Sequence, residues 1–235
     1  MNKRVLCLIM FLISLFYINP TQAEVIKYNF SKGACYSYKY TRQDQSAVSA
    51  PVVTTRKTSD SQTIDFIIRV VGYQDNSFIL DIGNDKATFR RYISANGDLK
   101  GAPSEDRLNF PFFLSFPNGD WKIGSSIKQN TEILAFGKKT PAVWNLVLTK
   151  VDSIRNLAEI TFEVRFNFQE DRTFTKTITL DGKVIFNMAE GVIHQADWKT
   201  NYIAKQICKE IAISRDLWNF QKQTVHTLKL TGVER

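Results

Sequence analysis

Histidine and cysteine are almost missing from this chain, and so are the motifs built on them. The 235 residues include two His (His194 and His226) and three Cys (Cys7, Cys35 and Cys208). A zinc site needs three or four such ligands with regular spacing, so no metal centre is expected. There is no Cys-x-x-Cys pair, no His-Glu-x-x-His, no Gly-x-Ser-x-Gly elbow and no phosphate-cradling glycine loop. With no catalytic set in view, an enzyme is not expected, and neither is a cofactor. Eleven Gly and six Pro are too few for a collagen-like chain or a linker. After residue 23 no apolar run is long enough to cross a membrane as a helix. What the chain has in quantity is aromatic: 17 Phe, 8 Tyr and 4 Trp, far too many for disorder.

The start is a targeting segment. Lys3 and Arg4 precede an apolar run from Val5 to Ile18, Asn19-Pro20 breaks it, and Thr21-Gln22-Ala23 offers small residues before a cut ahead of Glu24. That three-part layout predicts a signal peptide over residues 1–23 and a periplasmic or secreted protein. Its removal leaves residues 24–235 with a formal charge of +6 (29 Lys+Arg against 23 Asp+Glu) in place of +8. Cys7 goes with it. The remaining pair, Cys35 and Cys208, is expected to form a disulfide in an oxidising compartment. The long loop it would close gives up to ~5 kcal/mol in a chain-entropy estimate.

The dominant period of the rest is two. Ala158, Ile160, Phe162, Val164, Phe166 and Phe168 alternate with polar residues, as a strand with one buried face does. Ile64, Phe66, Ile68 and Val70 repeat the pattern. Phe78, Leu80 and Ile82 follow a turn over Gln74-Asp75-Asn76-Ser77, and Trp144, Leu146 and Leu148 precede a turn near Asp152-Asn156. Phe174, Ile178 and Leu180 run into Asp181-Gly182, which reads as a hairpin turn before Val184, Phe186 and Met188. A short helical turn is expected within Ser214–Gln223 and a final strand over Thr224–Leu230. The expected class is all-β, an antiparallel sandwich or a curved, barrel-like sheet. A faint repeat, 64–81 against 143–160, suggests two related β-modules in tandem, 24–105 and 106–235, which can still pack as one domain. A transmembrane barrel is not expected, because the chain ends Leu230-Thr-Gly-Val-Glu-Arg235 without an aromatic finish.

Between the modules lies the densest aromatic strip: Phe110, Phe112, Phe113 and Phe116, followed by Trp121. Pro111 and Pro117 confine it to extended or edge structure. It reads as an inter-module seam or an apolar docking site. Phe116-Pro117 followed by Trp121-Lys122-Ile123-Gly124-Ser125 resembles a segment of uncharacterised secreted bacterial β-proteins, Pro and then apolar-Lys-Val-Gly-Asp-Ser-Trp. The match covers about ten residues and departs at Ile127, where that segment has Trp. The resemblance implies a secreted β-protein and no activity.

Carboxylates at Asp81, Asp85, Glu105, Asp106 and Asp120 would suit a glycan hydrolase only if the fold paired them. Most such residues form turns. Basic residues are dispersed, and an exported chain argues against nucleic acid as partner. The function expected is that of an exported, non-enzymatic protein that binds a cell-envelope component, a lipid or a protein partner. The alternative is a carrier of an apolar ligand or lipid in a curved sheet.

Overall fold

The computed structural model describes residues 23–50, 53–84, 87–100, 113–135, 138–169, 174–208 and 215–235. Strands account for nearly all of them. A two-residue strand β1 (Ala23–Glu24) pairs with β7 (Trp121–Lys122) in a small second sheet. The large sheet has eleven strands: β2 (Cys35–Ala50), β3 (Val53–Gln74), β4 (Ser77–Gly83), β5 (Thr88–Ser94), β6 (Leu99–Lys100), β8 (Ser126–Ala135), β9 (Lys138–Asp152), β10 (Leu157–Gln169), β11 (Phe174–Asn187), β12 (Val192–Cys208) and β13 (Arg215–Glu234). Their order is β6-β5-β4-β3-β2-β13-β12-β11-β10-β9-β8, every neighbouring pair is antiparallel, and the sheet is not closed into a barrel. The chain starts in the middle, at β2, walks out to the β6 edge, crosses to the β8 edge, and walks back until β13 lies against β2.

Alternation sets one inner face. On β10, Ala158, Ile160, Phe162, Val164 and Phe166 are buried, while Glu163, Arg165 and Asn167 between them are exposed. Leu80, Leu148, Ile160, Leu180 and Phe186 on this face are fully sealed from solvent. Among the described residues there is no helix or second large sheet to cover them, so the sheet curls its inner face around two irregular segments. One is residues 25–34, which inserts Ile26, Tyr28 and Phe30. The other is residues 113–121, which inserts Leu114, Phe116 and Trp121. Tyr28 stacks on Phe30 and Phe116 and meets Phe186 of β11 edge-on at 5.3 Å.

These inserts are tied to both halves of the sheet. Tyr28 N–H donates to Ala95 O after β5 (2.7 Å), and Asn29 N–H to Gly191 O before β12 (3.2 Å). Leu114 N–H donates to the Tyr28 hydroxyl (3.0 Å) and Phe116 N–H to Asn96 O (2.6 Å). The Gln129 amide of β8 donates to Ser115 O (2.7 Å). Residues 113–118 therefore form a strap from the β5–β6 turn to the opposite edge. Gly97 permits it: its φ is +93°, and an added Cβ would lie 2.1 Å from Leu114 O.

Three expectations fail against this register. Asp181-Gly182 is not a turn, for β11 runs through it with Asp181 opposite Lys199 and Gly182 opposite Trp198. The glycine is there because a Cβ would come within 2.4 Å of Trp198 Cβ. The helical turn expected within Ser214–Gln223 is strand from Arg215 onward, because the alternation of β13 pairs it with both β12 and β2. The Cys35–Cys208 disulfide does not fit either. Cys35 stands opposite Glu234 and Cys208 opposite Arg215, at the two ends of β13. At about 3.3 Å per residue those ends lie roughly 60 Å apart, where a disulfide needs Cα atoms within about 7 Å. Cys35 is a free thiol.

Candidate functional site

The pairings of β2 with β3, β8 with β9, β10 with β11 and β12 with β13 all run on to the end of the sheet away from the inserts. Toward that end β3 loses its outer neighbour: β4 pairs only with Ile67–Gln74, leaving β3 from 53 to 66 with β2 alone among the described residues. With β8 bonded only to β9 on the far side, the described residues leave a trough that is open along one flank.

The floor of the trough can be read row by row from the register. Beside the inserts, Tyr40, Leu228, Ala196, Val184, Ile160 and Leu148 form an apolar row. The next is Arg42, His226, Trp198, Gly182, Phe162 and Leu146. Then come Asp44, Thr224, Thr200, Leu180, Val164 and Trp144, and after them Ser46, Lys222, Tyr202, Ile178 and Phe166. Beyond the inserts the floor is thus divided. The β9–β11 side is hydrocarbon and aromatic, and the β2 side is polar and charged, with β12 and β13 between them. On β12 and β13, between the two sides, Tyr202, Phe220 and Trp218 add aromatic surface farther from the inserts, all half-exposed, with ring centroids 5.7 and 5.9 Å apart.

At the boundary sits a polar cluster. His226 Nδ1 bonds the Tyr40 hydroxyl (2.8 Å) and Nε2 bonds Thr200 Oγ1 (3.1 Å), while its ring stacks on Trp198 at 4.6 Å. Burial, aided by the nearby Arg42 charge, brings the His226 pKa down to about 4, so the imidazole is neutral at physiological pH. Burial also pushes the Tyr40 phenol up to about 12. Arg42 donates twice to Asp44 (3.0 and 2.5 Å), joined by Thr224 Oγ1 (2.7 Å) and Lys222 Nζ (3.0 Å). Burial raises the Asp44 pKa, but these donors outweigh it and hold the carboxyl well below the usual range. Trp198 Nε1 is buried with no hydrogen-bond partner in the structure. His226 and Asp44 are saturated by partners, which makes the cluster a rigid polar belt. Among the described residues no three His, Cys, Asp or Glu side chains are placed to hold a metal ion.

The residues singled out from sequence fall elsewhere. Phe116 and Trp121 are buried in the inserts and Phe113 is partly buried against Tyr28 and Phe30, while Phe110 and Phe112 lie outside the described residues. Asp81 is bound by Arg90 in a bidentate pair (2.7 and 2.9 Å). Asp120 is exposed beside Trp121, and Asp85, Glu105 and Asp106 lie outside the described residues. His194 is half-buried on β12. Sequence reasoning reached His226 as a strand histidine and missed Tyr40, Arg42, Asp44 and Trp198. The signal was present in the even positions Tyr36, Tyr38, Tyr40, Arg42 and Asp44, an alternation that turns from aromatic to charged along one face of β2.

No family model and no curated protein matches this sequence. Among solved structures, one describing lipid–protein interactions in lipovitellin superposes with a TM-score of 0.50 at 14% identity, over 88% of this chain and 26% of that one. The chain thus spans about a quarter of the lipovitellin chain. Ail, the attachment invasion locus protein of Yersinia pestis, aligns over 84% of this chain and 97% of its own at 6% identity, with a TM-score of 0.15. The likeness to lipovitellin is one of fold.

Proposed function

We propose that this protein is an exported, non-enzymatic carrier or binder of an amphiphile, a lipid whose acyl chain lies along the trough. The observation that carries the reading is the divided floor. The half-exposed Tyr202, Trp218 and Phe220, beside the buried Phe166 and Ile178, offer apolar surface to a chain, and Arg42, Ser46 and Lys222 offer polar partners to a headgroup. Sites of this kind are mostly apolar with a few placed polar groups that fix orientation. The fold shared with part of lipovitellin supports a lipid as the occupant. His226 has both nitrogens engaged and a depressed pKa, which speaks against a base poised for catalysis. Among the described residues no helix is long and apolar enough to cross a membrane.

One experiment reads both parts of the proposal. The full-length gene is expressed with its own N-terminus, the protein is purified from the periplasmic fraction and the medium, and native and denaturing mass spectra are recorded. The expected result is a chain beginning at Glu24 that carries lipid released on denaturation. A ligand-free protein that also fails to take up a fluorescent fatty acid overturns the carrier. A chain retained in the cytoplasm with residues 1–23 attached overturns the export.

A further inference from the structure

We infer that two copies of this chain associate through the uncovered edge of β3, each adding its strand to the other's sheet. This stands apart from the ligand reading, because it concerns the edge and not the floor. From 53 to 66 β3 has β2 on one side and, among the described residues, no strand on the other. Such an edge presents a row of backbone donors and acceptors ready to pair with an extended chain.

The direction of those groups follows from one bond. Ser61 N–H donates to the carboxylate of Asp60 beside it (2.8 Å), so it points away from β2. In an antiparallel strand, N–H and C=O of one residue point the same way and successive residues alternate. Residues 55, 57, 59 and 61 therefore face outward. A two-fold antiparallel partner must match outward residues with outward residues, which restricts the centre of symmetry to single residues.

Charge then selects among the centres. Centring on Lys57 or Asp60 sets like charges directly opposite. Centring on Ser59 pairs no charges. Centring on Thr58 places Arg56 of each copy opposite Asp60 of the other, twice in the dimer. Both are non-hydrogen-bonded positions, where side chains approach closest, near 4.5 Å between Cα atoms. Centring on Ser61 sets Lys57 opposite Asp65, at the wider hydrogen-bonded positions. The Thr58 register is thus the best self-complementary one. It forms about eight backbone hydrogen bonds between outward pairs 55–61 and 57–59, with Ser61 N–H exchanging its own Asp60 for the partner strand. The contact is isologous, as two-fold dimers require. Residues 55–63 are all exposed, so substitutions there do not disturb the core.

The test is light scattering on the purified protein at tens of micromolar, with far-ultraviolet circular dichroism to verify each fold. Wild type is expected as a dimer. Arg56→Asp and Asp60→Arg, each of which sets like charges opposite, are expected to weaken it at least ~10-fold. The double variant Arg56→Asp/Asp60→Arg is expected to restore it. A monomeric wild type overturns the inference. So does a dimer indifferent to Arg56→Asp, or one that the double variant fails to rescue.

Discussion

At the scale of the residue, His226 ties the polar belt to acidity. Its pKa is near 6.5 when unfolded and about 4 when folded, so below pH 6.5 the unfolded chain binds the proton more readily. Stability is therefore full above about pH 6.5 and is lost as the pH falls toward 4. The ceiling is about 3 kcal/mol, because each tenfold difference in proton affinity between the two states is worth about 1.4 kcal/mol. Asp44, also held low, works in the same direction at still lower pH. Urea unfolding at a series of pH values should show wild type weakening between pH 6.5 and 4.5. His226→Gln should be less stable at pH 7.5 and nearly flat over that interval. Equal slopes in the two proteins would remove His226 as the cause. Trp198, stacked on the ring and almost fully buried, keeps the imidazole away from water and makes the lowered pKa possible.

At the scale of the element, β11 shows what a strand demands of one position. Gly182 lies between Phe162 and Trp198 in the same row. An alanine there would place its Cβ 2.4 Å from Trp198 Cβ and 2.6 Å from Asp197 O. Gly182→Ala is expected to cost ~1–3 kcal/mol by overpacking, read as a lowered urea midpoint. A neutral substitution would mean that β11 and β12 separate more easily than their register suggests. This position also marks where the sequence misleads. Asp-Gly is a turn dipeptide locally, and only the neighbouring Trp198, 16 positions away, makes the glycine a packing requirement. The Asp75-Asn76 turn, by contrast, was legible, since both residues take positive φ (48° and 57°) and both side chains tolerate it. The alternation of β10 was legible for the same local reason. The start of β13 was not, because a Ser-x-Asp-Leu run imitates a helix cap when the strands on either side are unseen.

At the scale of the molecule, the inserts replace a second layer. A curled sheet with no helix against it among the described residues has to fill its own interior, and Tyr28, Phe30, Leu114, Phe116 and Trp121 do so. Phe116 touches Tyr28, Trp121 and Phe186 with centroid separations of 5.1 to 6.4 Å. Phe116→Ala is expected to cost ~3–5 kcal/mol, as large-to-small changes in sealed cores do, read by thermal or denaturant unfolding as one cooperative transition. Two separate transitions would show that the halves β2–β6 and β8–β13 fold independently of the strap. The aromatic richness was visible in the sequence, as was the all-β class. The trough was not, because its two walls come from strands far apart in the chain. Nor could the thiols be separated without the register, since counting cysteines says nothing of distance.

The adjacency of β2 and β13 carries a consequence in time. Tyr40 and His226, bonded across that seam, are 186 residues apart in the chain, and the whole central ladder shares this span. Topologies dominated by such distant pairings fold slowly, since a large loop must close before any contact rewards it. The middle of the sheet is therefore a slow step of folding, because β13 must find β2 across that span. The molecule cannot lock into its native shape until β13, which joins β12 to β2, has been made.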